Sequence, residues 1–126
     1  MAAVIPPILS DRPPQVPQRA GLGGRFHYFR GCSGRRYLFS RVPAETLADY
    51  RAAVVILAES TRSGRLVAHS ITSLDAEGRP TGGDAIPPAI AVDTVCLVHF
   101  LAGSESDRSQ LIADLTTLPT PLPLAA

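Results

Sequence analysis

Residues 25–41 read RFHYFRGCSGRRYLFSR and hold five Arg, one His, five aromatic rings and no acid. Arg neutralises phosphate and an exposed ring stacks on an unpaired base, so a sheet face bearing both suits single-stranded nucleic acid. The candidate contact residues are Arg25, Tyr28, Arg30, Arg35, Arg36, Tyr37, Phe39 and Arg41. The same rings also suit a core. A small domain with no Trp draws on Phe26, Tyr28, Tyr37 and Phe39 for packing, and its arginines then coat the back and edges of the sheet. Solvent exposure of these rings separates the two readings.

The other reactive side chains are less well arranged. Cys32, His69, Cys96 and His99 are zinc-ligand types. Cys96 and His99 are three positions apart, which puts them on opposite faces of a strand, and no CxxC or HxxxH pair is present. Neither a metal nor another cofactor is expected. Ser70 and Ser73 lie near His69, but no Gly-x-Ser-x-Gly elbow exposes a serine. Gly21-Leu22-Gly23-Gly24 is not followed by a helix and so lacks the context of a phosphate cradle. Glu105 and Asp107 sit where a helix starts, a position explained by the helix dipole. These residues argue against an enzyme.

The elements that must position these groups follow from local pattern. Arg25–Arg30 and Arg35–Val42 flank Gly31-Cys32-Ser33-Gly34, a hairpin signal. With Cys32-Ser33 as the turn, Arg30 faces Arg35, Tyr28 faces Tyr37 and Phe26 faces Phe39, all on one face. Pro43 opens a short helix near 43–50, because its missing N–H is not needed there. Leu47, Tyr50, Val54 and Leu57 would continue one helix through Glu59, but the β-branched run Val54-Val55-Ile56-Leu57 favours a break near Arg51. Ser60–Gly64 is a turn cluster, and Arg65–Thr72 returns as a strand. Ala76–Pro88, rich in Gly and Pro, predicts no regular element, and Thr94–Leu101 predicts a strand. Ser104 caps a helix near 105–115 with Leu111, Ile112 and Leu115 as its apolar stripe. The sum is an α+β domain: an antiparallel sheet of about five strands, covered on one face.

The chain has 126 residues, which sets an expectation of one domain, and 45% of them are hydrophobic. All twelve cations are Arg, and the abundance of Arg, Ala, Pro and Gly reads as the codon bias of a GC-rich bacterial genome. Five of twelve prolines fall in the first 17 residues and three in 119–123. Residues 1–24 and 119–126 are therefore expected as Pro-rich tails, extended or disordered, around a domain over 25–118. Within the first tail, Pro14-x-x-Pro17-x-Arg19 has the spacing of a polyproline II ligand. The formal net charge of +1 divides into +6 over residues 1–41 (seven Arg, one Asp) and −5 over 42–126 (five Arg, ten acids). No apolar run approaches the ~18 residues of a membrane span. Met1–Leu9 lacks a basic flank and is broken by Pro6-Pro7, so no secretory signal is expected and the location is expected to be cytoplasmic.

Ala53–Leu57 (AVVIL), a polar turn and Leu66–Leu74 (LVAHSITSL) resemble the two-strand signature of the GIY-YIG nuclease superfamily. Ser33–Phe39 is similar to a hairpin ahead of that signature in some bacterial members. Val98–Leu101 and Arg108–Leu115 (RSQLIADL) resemble the last core strand and the helix bearing the catalytic glutamate. The family's chemistry is metal-dependent phosphodiester hydrolysis, using tyrosines on both strands, an arginine on the next helix and that glutamate. Here Val55 and Ser70 stand at the tyrosine positions, Ala76–Pro88 replaces the arginine-bearing helix, and Ile112 takes the glutamate position. Without a carboxylate a hard divalent ion has no anchor, so the resemblance implies a nuclease-like scaffold that has lost its active site. The expected function is a cytoplasmic, non-catalytic interaction or structural module with a protein partner. The alternative is a nucleic-acid-binding module using residues 25–41, and the last is a hydrolase built on His69 and Ser70.

Overall fold

The computed structural model describes residues 8–10, 25–63 and 65–117. The polyproline-like spacing at 14–19, the glycines at 21–24 and the tail at 119–126 lie outside the described residues. Among the described ones are strands β1 (Ile8–Leu9), β2 (Phe26–Arg30), β3 (Arg36–Val42), β4 (Ala53–Ser60), β5 (Leu66–Leu74), β6 (Pro80–Gly83) and β7 (Val95–His99). A 3-10 helix spans Ala44–Asp49, and helix α1 spans Glu105–Thr116. The class is α+β. No helix among the described residues is long and apolar enough to cross a membrane.

All strand pairs are antiparallel, in the order β1-β5-β4-β7-β3-β2, with β6 also pairing with β5. Ser10 closes the circuit. It bridges to Phe29 of β2 while its N–H donates to the Leu66 carbonyl at 2.9 Å and its hydroxyl accepts from the Leu66 N–H at 2.7 Å. The sheet therefore curls until its first and last strands meet, which pairs groups that an open edge would leave bare. Residues 8–10 thus join the sheet from within the segment expected as a tail. β6 is the other addition, a short pairing inside the Gly/Pro-rich stretch expected to hold no element. Gly83 permits it with φ of +80°, where a Cβ would meet the Ile71 carbonyl oxygen at 2.2 Å.

The curled sheet buries both faces. On the inner face Phe29, Phe39, Val54, Ile56, Leu97 and the α1 residues Leu111 and Leu115 form one cluster. On the outer face Val55, Leu57, Leu74, Cys96 and Val98 pack with Leu47 of the 3-10 helix and with Ile86 and Ile90. The expected single covered face is thus corrected: β4 and β7 are sandwiched, which is why VVIL and VCLV carry no polar alternation. The break before β4 falls as expected, with Ala52 at φ +49° between the 3-10 helix and the strand. Ser104 caps α1, its hydroxyl accepting from the Asp107 N–H at 3.0 Å.

Candidate functional site

The hairpin forms, but one residue out of the expected register. Arg30 pairs with Arg36, Phe29 with Tyr37, Tyr28 with Leu38 and His27 with Phe39. The connection is the five-residue loop 31–35: the Gly31 N–H donates to the Arg35 carbonyl at 2.8 Å, and the Gly34 N–H to the Gly31 carbonyl at 3.0 Å. Gly34 takes φ of +87°, open only to residues that tolerate the left-handed region. A one-residue slip exchanges faces, so the four rings expected together are divided. Phe39 is buried on the inner face, edge-on to Phe29 with centroids 5.3 Å apart. Tyr37 shares that face, half-buried. Phe26 and Tyr28 lie on the outer face, each 40% exposed.

The slip assembles a different group from the one expected. Phe26, Tyr28 and Arg30 of β2 stand beside Arg36, Leu38 and Ser40 of β3 on the outer face. The Arg36 guanidinium carbon lies 4.1 Å from the Tyr28 ring centroid, a cation–π pair. Arg25, Arg30 and Arg36 are exposed. Arg35 lies in the loop, and Arg41 lies at the far end of β3 beside a cavity of about 550 Å³ that it lines with Glu45 and Cys96. Of the eight candidate residues, then, Tyr28, Arg30 and Arg36 come together on the outer face, joined by Phe26, which the expected register paired with a core ring. Phe39 and Tyr37 do not join them.

The inner side of the same hairpin is held by α1. Asp114 accepts from the Ser33 N–H at 2.7 Å, the Ser33 hydroxyl at 2.6 Å and the Tyr37 hydroxyl at 2.7 Å. Its own carbonyl accepts from the Cys32 N–H at 2.8 Å. Burial raises the Asp114 pKa, but the Ser33 and Tyr37 hydrogen bonds and the Arg35 charge outweigh it and hold the carboxyl below its usual range. Burial and the Asp114 carboxylate push the Tyr37 phenol up. Gly31 makes the approach possible, since a Cβ there would fall 2.1 Å from Asp114 Oδ2. At the other end of α1, buried Arg108 donates from Nε to the Ser73 hydroxyl at 3.1 Å and from Nη1 to the carbonyls of Ala102 and Gly103.

Sequence reasoning missed both anchors, yet each left a signal. Arg108 falls on the stripe of Leu111 and Leu115, three and seven residues on, where a solvated arginine has no place. Asp114 sits near the C-terminal end of α1, where the dipole disfavours an acid unless something specific holds it.

The remaining candidates stay apart. Cys96 is buried on the outer face and His99 on the inner one, as their spacing predicts. Burial pushes the Cys96 thiol up. No group of three His, Cys, Asp or Glu able to hold a metal occurs among the described residues. His69 is the extra residue of a bulge in β5 and lies 3.1 Å from Glu59. The Ser70 hydroxyl is buried without a hydrogen-bond partner. Val55 and Ser70 face outward on adjacent strands, whereas Ile112 packs on the inner cluster, so these three positions do not converge. Compared with protein-family models, with curated proteins and with solved structures, the chain matches none.

Proposed function

We propose that this protein is a small, non-catalytic binding module whose contact surface is the outer face of β2–β3. One observation carries the reading. The outer face of the sheet is covered by the 3-10 helix and by Ile86 and Ile90 over β4 and β7, while over the hairpin Phe26 and Tyr28 are each 40% exposed beside the exposed Arg30 and Arg36. Single-stranded nucleic acid is the partner that best suits this face. Its bases stack on Phe26 and Tyr28, and its phosphates meet Arg30 and Arg36 with no acid in the hairpin to oppose them. A protein partner with an acidic surface is the second reading, favoured by Phe26 and Leu38 adding apolar contact beside the charges.

As a binding module, the chain keeps the order of elements of a nuclease-like scaffold without its chemistry: Val55, Ser70 and Ile112 supply neither a phenol nor a carboxylate. The same proposal places it in a bacterial cytoplasm, in keeping with its arginine-only codon bias and its two free cysteines.

Fluorescence anisotropy of a labelled single-stranded oligonucleotide tests the nucleic-acid reading. Affinity is expected to fall steeply with salt, as counterions are released, and to drop on Arg36→Ala or Tyr28→Ala. Absence of binding at low salt removes nucleic acid as the partner and leaves the acidic protein surface.

A further inference from the structure

The outer-face row of side chains does not stop at the hairpin. β3 pairs with β7 through Val42 and Cys96, Arg41 and Leu97, and Ser40 and Val98. Continued one step, that register sets His99 beside Phe39 on the inner face, and their ring centroids are 5.3 Å apart. One residue further, Phe100 stands beside Leu38 on the outer face, and Leu38 in turn lies opposite Tyr28 of β2. Phe100 is 47% exposed. Its ring centroid lies 5.4 Å from that of Tyr50, which closes the 3-10 helix and packs with the outer cluster. Tyr28, Leu38, Phe100 and Tyr50 therefore form one row, and the cover of the 3-10 helix begins where the row ends.

Two exposed rings in that row, Tyr28 and Phe100, are two strand spacings apart, roughly 10 Å. They make two separate stations on which a base can stack, and a strand can serve both where a single base cannot. Charge decides which end takes phosphate. Arg30 and Arg36 are exposed beside Tyr28, in a hairpin without an acid. At the other end the 75–79 turn closes on Tyr50 and Ala52. The Ala52 N–H donates to the Asp75 carbonyl at 2.7 Å, and a Cβ on Gly78 would lie 3.1 Å from the Tyr50 carbonyl oxygen. That end sets Asp49, Asp75 and Glu77 against Arg51 and Arg79, three acids to two cations. Phosphate is drawn to the hairpin and not to this end, so what meets Phe100 is a base.

Resting on the outer-face reading of the hairpin, we propose that Phe100 is the second stacking station of a single-stranded nucleic-acid site. The strand crosses from β2 over β3 to the end of β7, with phosphates at Arg30 and Arg36 and a base laid on Phe100.

The test is fluorescence anisotropy of a labelled oligothymidylate about eight nucleotides long, bound to the full chain over a salt series. Phe100→Ala is expected to weaken binding at least about fivefold, the lower end of the loss of one stacked base, and to leave the salt slope unchanged. Arg36→Ala, by contrast, reduces that slope by about one. Phe100→Tyr keeps a ring and should retain wild-type affinity. Phe100→Leu keeps an apolar side chain without a ring and should bind as weakly as Phe100→Ala. Equal binding by wild type and Phe100→Ala, with Tyr28→Ala weakened, overturns the second station and leaves the outer-face reading standing. Wild-type affinity in Phe100→Leu also overturns it, because the contact is then apolar and not stacking. No oligonucleotide binding by the wild type, with polyglutamate bound in its place, overturns the nucleic-acid reading and the second station together.

Discussion

The two faces of the β2–β3 hairpin share one backbone and have opposite fates. Inward, Phe29 and Phe39 are fully buried and Tyr37 is tied to Asp114 on α1. Outward, Phe26 and Tyr28 remain 40% exposed beside Arg30 and Arg36. Aromatic content alone therefore says little about function. The alternation of a strand sends neighbouring rings to opposite tasks, stability on one side and contact on the other.

Substitutions can break this comparison, and the largest effect is expected inside. Phe39→Ala should cost about 3–5 kcal/mol in denaturant unfolding, since it removes a fully buried ring and leaves a cavity. Next comes the helix anchor at the other end of the sheet. Arg108→Ala takes away the donor to Ser73, Ala102 and Gly103 and should cost about 2–3 kcal/mol, by the same measurement.

Asp114→Asn should cost about 1 kcal/mol near neutral pH by weakening its hold on Ser33 and Tyr37. It also carries a pH signature. The folded-state pKa of Asp114 lies below its unfolded value, so its stabilisation is present above the usual carboxylate range and is lost as pH falls through that range toward the lowered value. The stability gap between wild type and Asp114→Asn should therefore close on acidification below about pH 4 in pH-dependent melts. A gap that stays constant would mean the carboxylate charge is not what holds the turn. Smallest of all, Tyr28→Ala should change stability by less than about 1 kcal/mol while weakening partner binding. A large loss of stability there would mean that the outer ring is structural.

Most of the elements were legible in the residues. The β-branched run at Val54–Leu57, the capping pair Ser104 and Asp107, and the break before β4 each act over a few positions, and local patterns report local physics. The register of the first hairpin was not legible, for a reason that lies elsewhere in the chain. Gly31 and Gly34 read as the two ends of a short turn, but only Gly34 adopts a turn conformation with positive φ. Gly31 is small so that Asp114, 83 positions away, can approach. A long-range contact set the loop length, and one extra loop residue moved every side chain on the strand. For the same reason the outer patch of Phe26, Tyr28, Arg30 and Arg36 was only half visible: its residue types stood in the segment, but their common face depended on the register.

Contact through the outer face of the hairpin is tested most directly by a residue-resolved ¹H–¹⁵N footprint of the full chain on adding a single-stranded oligonucleotide at low salt. Shifts are expected to concentrate at Phe26, Tyr28, Arg30, Arg36 and Leu38, with the β4–β5 turn unmoved. Shifts confined to that turn, or spread without regard to face, would contradict it.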